Sequence, residues 1–589
     1  DGIQSLSYIY DENGWLQEIK GELHSKGQTT EKVLRSYSYD AYGKVKEIKD
    51  YRNLLKDGDQ AVQKVYTYDR FDRVKEMIYT DLETGKVMES YQYSYDKNSN
   101  ITKKTQVNNY PKEDADKVNE TKSYTYDTLG RLTKTVTTDH NKDDKTKTVT
   151  YTYDNVGNRL KEDDGTTTTS YTYNGLDQLQ TATKEKGTAV DEVRQYSYDA
   201  NGNQTDVKNT KTGQTESYTY DAENRLSKVS VTDKDGKTAV IQQNRYNGDG
   251  QRIQKVEGSK TTNYYYQDGV VSYTTDGDNS QTSQNLIGTD GNILATQRYG
   301  SDHTDYLLYN KDIQGSSTSL VKEDGSADAT YRYTDFGETK INGDNKVENE
   351  VCYTGGIYDQ RTGLYYLNAR YYNPEDGRFV TEDTYRGETN EPDTQNLYAY
   401  CADNPVNYVD PSGHKYDKHA AANYALRWGM SFNPEYANHT GQGDCTNFVS
   451  QCVHAGGVPM RRPRSVYARP DIYRTNMYWY SVRYKNYRNA YRWKETTAWT
   501  TVKGFFAHWK FKKNTKIIKC KNLEELKKKV DLGDIVQLHS RKEGWHHSII
   551  ISVKESSKIC YAGHSKRHKW ANINKIKKGQ DKYRIIRFK

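Results

Sequence analysis

No run of about 18 apolar residues occurs in the chain, so no segment reads as a transmembrane helix. No signal peptide is visible either. The first residue is Asp1 rather than Met, which reads as a fragment or a processed product with any export signal lying upstream. Cysteine is scarce. Cys352, Cys401, Cys445, Cys452, Cys520 and Cys560 are scattered and form no C-x-x-C pair. That pattern is too sparse for a disulfide scaffold and lacks zinc-ligand spacing; no metal or cofactor is expected. Hydrophobic residues reach only 33%. Such a level suits disorder, but disordered chains are poor in aromatics, and this one has 55 Tyr. The composition points to a folded, β-rich, wet-faced architecture, and 589 residues call for several structural units.

Charge divides the chain near residue 413. Residues 414–589 hold 37 Lys and Arg against 12 Asp and Glu, a net +25; the whole chain is +7, which leaves −18 for residues 1–413. Ten of the 13 His and seven of the eight Trp also lie after 413. Two different objects are joined there.

The first object is a repeat. One unit recurs as YIYDENGWL at Tyr8, YSYDAYGKV at Tyr37, YTYDRFDRV at Tyr66, YTYDTLGRL at Tyr124 and YTYDAENRL at Tyr218, with close variants between. The Asp or Asn after the second Tyr recurs every 20 to 31 residues, a repeat-architecture spacing. Tyr-x-Tyr puts two rings on one face of a strand. The Asp with its following Gly or Asn makes a turn, and a second strand follows. Hairpins stacked this way give one long sheet with Tyr ladders between strands, and coiling or closure protects its edges.

These units resemble the YD repeats of Rhs and teneurin-like proteins. The run YTGGIYDQRTGLYYLNARYYNPEDGRFVTEDTY with NLYAYCADNPVNYVDPSG resembles the Rhs repeat-associated core. The resemblance implies a coiled β-shell over 1–340, the core over 341–413 and a variable C-terminal passenger over 414–589, often a toxin. It also implies possible self-cleavage just after Asp410-Pro411-Ser412-Gly413, with Asp410 as the acid. His414 departs from the bulky apolar residue usual at that place, and a plain turn is the competing reading.

The passenger reads as a small α+β domain. Ala420, Ala421, Tyr424, Ala425 and Trp428 recur at helical spacing, with Asp417 as the N-cap. In GDCTNFVSQC, Asp444 is the candidate N-cap of a second helix, and Phe448, Val449 and Cys452 form its apolar stripe. Cys445 then sits in the first turn, where the helix dipole and open N–H groups favour a thiolate; a buried structural Cys is the competing reading. GDIVQL, the segment from about His546, and ICYAGHS read as an antiparallel sheet. His546 and His547 point to opposite faces, so only one can meet the Cys. Asp534 reads as a structural turn residue.

The order HAAANYALRW, GDCTNFVSQCVHAGGVPM, MYWYS, TTAWTTVKGFF, GDIVQL, WHHSIII resembles an amidase domain family that looks like a branch of the papain-like, NlpC/P60-type cysteine hydrolases. That resemblance implies Cys445 as nucleophile, His547 as base, and His564 in YAGHS as the polar residue that orients the imidazole. The backbone N–H of Cys445 with Gln442 or Asn447 would hold the oxyanion. The expected substrate is an amide, with peptidoglycan as a candidate, and a cognate immunity protein is the expected partner of a secreted or surface-exported toxin. A basic nuclease passenger is the first rival, although no metal-spaced His/Asp/Glu cluster supports it and nucleic acid is not the expected partner. A catalytically dead adhesion protein is the second.

Overall fold

A computed structural model describes residues 2–588 apart from 12–15, 26–27, 41–43, 53–59, 72, 249, 268–269, 289–291, 301–303, 344–347, 384–394, 411–412, 414–417, 434, 440–442, 457, 459, 461–468, 486–489, 511–514, 555–557, 565–567 and 577–578. The expected Asp417 cap lies outside the described residues. Two compact units form, Asp1–Ile9 with Leu16–Gly413, and Tyr10–Trp15 with His414–Lys589.

In the first unit, 28 strands from Gly2–Tyr10 to Thr339–Gly343 form one sheet. Each strand pairs antiparallel with the next, as in Glu47↔Val65 and Lys134↔Thr150. The repeat chemistry explains the regularity. The first Tyr of a unit is buried, as at Tyr124, Tyr151 and Tyr218. The second donates its hydroxyl to a backbone carbonyl one hairpin earlier: Tyr68 to Val45 at 2.7 Å, Tyr126 to Ile101 at 2.6 Å, Tyr153 to Leu132 at 2.8 Å. The ladder is therefore held mainly by phenol-to-carbonyl bonds that tie each hairpin to its predecessor. Ring contacts add to it within a unit, as at Tyr66–Tyr68 with centroids 6.3 Å apart. The Asp closes its own turn. Asp127 Oδ1 accepts the N–H groups of Leu129 and Arg131, both at 2.9 Å, and Arg131 reaches on to the Asp154 carbonyl at 2.6 Å.

The meander also turns back on itself. Tyr79 donates to the Lys311 carbonyl at 2.6 Å, Asn108 to Ser319 at 3.0 Å, and Arg332 to Glu120 at 2.8 Å. Contacts between residues about 210–230 positions apart are what the expected coiling requires. Four short strands between Ile357 and Phe379 form a separate small sheet after the meander.

The second unit is α+β. Six antiparallel strands lie in the spatial order Thr515–Cys520, Gln580–Phe588, Ile535–Ser540, Gly544–Lys554, Ile559–Gly563, His568–Asn572. Five helices accompany them: α1 (Lys418–Trp428), α2 (Cys445–Ala455), α3 (Thr497–Thr500), α4 (Val502–Trp509) and α5 (Leu523–Lys529). The strand period of two divides the core. Ile535, Ile550, Ala562 and Ile586 pack under Phe448, Val449, Cys452, Trp499 and Phe505 on one face. Val536, Leu538, Ile549, Ile551 and Ile585 pack with Leu526 of α5 on the other.

Candidate active site

Cys445 is the first residue of α2 and is 5% exposed. The helix begins where the sequence predicts, but Asp444 does not cap it through its side chain. Its carboxylate is taken elsewhere. Oδ2 lies 2.5 Å from His564 Nδ1, while Oδ1 accepts Asn447 Nδ2 at 2.7 Å and the His439 N–H at 3.2 Å. With no side-chain cap, the first-turn N–H groups of α2 stay open towards charge developing at Cys445.

His564 faces α2. Its Nε2 lies 2.9 Å from the Trp428 carbonyl, and its ring stacks on Phe448 with centroids 3.9 Å apart. Both ring nitrogens thus lie against acceptors, a carboxylate on one side and a carbonyl on the other. Its hydrogen bonds go to α1 and to the residue before Cys445 rather than to His547, so the orienting role implied by the family pattern is not the geometry observed. Asn447 is committed as well. Its amide donates to the Ala437 carbonyl at 2.8 Å and to Asp444, and its oxygen accepts Trp499 Nε1 at 2.8 Å. Both donors are used within the fold, which removes Asn447 from the oxyanion set. Gln442 lies outside the described residues.

Strand register places one of the two neighbouring histidines. His547 pairs with Leu538, and cross-strand partners share a face, so His547 lies with Ile549 on the α5 side. Burial lowers its pKa from 6.5 to about 4, which keeps the ring neutral and a weak base. Ser548, the next residue, is on the α2 side, with Oγ 3.1 Å from Thr446 Oγ1. The register thus puts His547 on the α5 side and Ser548 on the α2 side, and assigns no face to His546. His546 sits at the bulge between the pairs Leu538↔His547 and His539↔Trp545. Its Nδ1 donates to the Gly544 carbonyl at 3.0 Å, and its Nε2 lies 3.7 Å from Glu543 Oε2. Among the described residues no imidazole is hydrogen-bonded to Cys445 Sγ, whose polar neighbour is Thr446 Oγ1 at 3.8 Å.

Two further features escaped the sequence. His439 Nε2 lies 2.5 Å from buried Glu495, and that hydrogen bond raises its pKa. A polar row also crosses the sheet on the α2 face: Arg584 Nε donates to Gln537 Oε1 at 2.8 Å, Gln537 Nε2 donates to Ser548 Oγ at 3.1 Å, and Ser548 meets Thr446 beside Cys445. The signal for Arg584 was available, since in YRIIRF it shares strand parity with Ile586 and Phe588 and so faces a core. Asp534 binds Arg587 through both carboxylate oxygens, at 2.9 and 2.8 Å, and is structural as expected.

The end of the first unit carries its own cluster. Gly413 donates its N–H to Asp410 Oδ1 at 2.9 Å and offers its carbonyl to Arg370 Nε at 2.5 Å. Arg370 also pairs with Asp383 at 2.9 Å and approaches Asp410 at 4.0 Å.

Comparison with known proteins matches residues 3–406 to the family described as "Teneurin YD-shell" and residues 415–586 to the one described as "Putative amidase domain". The first match spans more than half of the chain, which belongs to the teneurin YD-shell family. Among curated proteins, the tRNA3(Ser)-specific nuclease WapA of Bacillus spizizenii is 33% identical over 275 residues, covering 45% of this chain and 11% of that protein. Protein YhbB of Bacillus subtilis is 49% identical over 47 residues, covering 8% of this chain and 14% of that one. The chain thus spans about a tenth of the length of its nuclease-named relatives. A solved structure titled as the TcdB2-TccC3-Cdc42 complex aligns with a TM-score of 0.30 and 16% identity, over 70% of this chain and 26% of that one. No helix among the described residues is long and apolar enough to cross a membrane.

Proposed function

We propose that the chain is a fragment of a YD-shell toxin whose C-terminal unit hydrolyses an amide bond with Cys445 as nucleophile. The observation that carries this reading is the placement of Cys445 at the uncapped start of α2, inside the segment that matches the amidase family. A thiolate there gains from the helix dipole and from the open first-turn N–H groups. It attacks the amide carbonyl, the N–H groups take the oxyanion, an imidazolium protonates the leaving amine, and water then clears the thioester. For the base, the family pattern implies His547, and His546 at the adjoining bulge is the alternative. Alanine at each position separates the two.

Peptidoglycan is the proposed substrate, with a cognate immunity protein as partner and secretion or surface export as the setting. The test is mass spectrometry of purified peptidoglycan after incubation with the full chain or its Cys445→Ala variant. New amine and carboxyl termini made only by the wild type support the reading, and identical products from both remove it. The names of the nuclease relatives favour a second reading, so tRNA is incubated in parallel; its cleavage by both proteins, with the peptidoglycan untouched, selects that reading.

Self-cleavage after Gly413 belongs to the same proposal. Arg370 polarises the Gly413 carbonyl while Asp410 and Asp383 flank the same guanidinium.

A further inference from the structure

Arg584 is 6% exposed and stands on the α2 face of the sheet, paired across it with Gln537. Its guanidinium carbon lies 3.4 Å from the ring centroid of Phe506 in α4 and 4.0 Å from that of Trp545. Nε donates to Gln537 Oε1. None of the described residues gives it a carboxylate, and its two Nη groups have no protein acceptor among them. Strongly buried Arg370 has Asp383 as counter-charge, and partly buried Arg587 has Asp534. Desolvation without compensation lowers the pKa of Arg584 to about 10. A guanidinium held between two aromatic faces, with its fork unused, is pre-organised for a bidentate acceptor.

Its position says what that acceptor belongs to. Arg584, Gln537 and Ser548 stand side by side on three adjacent strands, and Ser548 meets Thr446, whose hydroxyl is 3.8 Å from Cys445 Sγ. Two inter-strand steps of about 4.8 Å place the arginine strand roughly 10 Å from the strand under the thiol. An extended peptide covers about 3.3–3.6 Å per residue, so that span is two to three residues of substrate.

We propose that Arg584 is the substrate-anchoring residue of the Cys445 site and binds a carboxylate on the amide substrate, two to three residues from the bond that is cut. This rests on the amidase reading of the second unit. It narrows the substrate class to acidic or free-carboxylate peptides and gives the polar row a purpose: Gln537 fixes the guanidinium while Ser548 and Thr446 connect its strand to the nucleophile. The carboxylate takes the two Nη donors, and Phe506 and Trp545 exclude water from the pair.

Binding is measured on the full chain carrying Cys445→Ala, so that no turnover is needed. The probes are acetyl-trialanine with a free C-terminal carboxylate, its C-terminal amide, and an acetylated, C-amidated alanyl-alanyl-glutamate, which separates main-chain from side-chain carboxylate. Either carboxylate probe is expected to bind at least tenfold more tightly than the neutral amide. Arg584→Gln should erase that preference, and Arg584→Lys should keep part of it, since an ammonium retains the charge but not the fork. Far-UV circular dichroism checks that each variant is folded, and Arg584→Lys decides the matter if Arg584→Gln is not. Equal binding of acid and amide by the parent protein, or a preference that survives in both variants, overturns the proposal. Because the readout is binding, a carboxylate preference without peptidoglycan cleavage would instead count against the amidase reading alone.

Discussion

Asp444 is the residue on which the start of α2 depends, and its removal has a calculable consequence. The carboxylate is 3% exposed and receives three donors, at 2.5 Å from His564 Nδ1, 2.7 Å from Asn447 Nδ2 and 3.2 Å from the His439 N–H. His564 is itself 6% exposed, with an acceptor against each ring nitrogen. Asp444→Ala therefore leaves buried donors without their acceptor, a change that costs about 1–3 kcal/mol, or a factor of roughly 5 to 150 in the unfolding equilibrium of this unit. His564→Phe keeps the stack on Phe448 but strands the carboxylate. The pair of changes together removes both partners, so the double variant should be more stable than the sum of the single losses predicts, with a coupling of about 1 kcal/mol or more. The assay is denaturant unfolding of the full chain followed by Trp fluorescence, because seven of the eight Trp lie after residue 413 and report this unit. A coupling below about 0.5 kcal/mol, the level of an exposed ion pair, would refute the reasoning, because the buried contact between the two side chains would then carry no stability.

Four further outcomes follow from the structure. Cys445→Ala should abolish amide hydrolysis without moving the Trp-reported transition, whereas Cys452→Ala should cost about 1–2 kcal/mol and leave chemistry intact, because Cys452 is fully buried on the apolar stripe. An alkylating reagent should label Cys445 first among the four Cys of this unit, since burial holds the Cys452 thiol well above its usual range; equal rates count against a reactive thiolate. His547 binds its proton more weakly folded (about 4) than unfolded (6.5), so the unfolded state holds more protons between those values and stability falls as pH drops through that window. The loss reaches about 3 kcal/mol at full protonation. Asp534, raised to about 6, acts in the opposite sense, so the measurement is the difference between the wild type and His547→Gln; no difference from pH 6.5 to 4 refutes the burial argument. Finally, intact-mass analysis should show the purified wild type split after Gly413 and Asp410→Asn unsplit. A wild type that stays whole returns the Asp410 turn to a structural role.

Much of the architecture is written locally. Tyr-x-Tyr-Asp fixes a strand, a turn and the phenol-to-carbonyl bond to the previous hairpin within about 30 residues, so the repeat was legible from spacing alone. The start of α2 was legible for the same reason: Gly443-Asp444-Cys445 is a local boundary signal, and the helix begins at Cys445. What was not legible depends on which distant strands become neighbours. Simple alternation would set His546 and His547 on opposite faces, but the pairing Leu538↔His547 and the bulge beside it break that alternation at His546. A bulge of one residue inverts face parity, so motif position and strand face can disagree, as they do for His547. The role of Asp444 was misread for a similar reason. Asp before a helix is an excellent cap by local chemistry, and it lost that role to His564, 120 residues away, because a buried charge-assisted bond outweighs one capping bond.

The same logic explains why the polar row is informative. Gln537, Ser548 and Thr446 are each neutral, buried and fully engaged, and a row of that kind can serve only to lock strands in register. Arg584 at its end is different, because a core-facing cation without a partner is destabilising by itself. An apolar residue at that position would satisfy the fold better, as Ile586 does two positions further along the same face. Retention of an unpaired guanidinium beside a helix that begins with a cysteine is therefore best understood through a ligand that arrives with the missing charge. If both carboxylate probes are ignored, the arginine is a packing element and the cleft has lost its only charged determinant among the residues of that row.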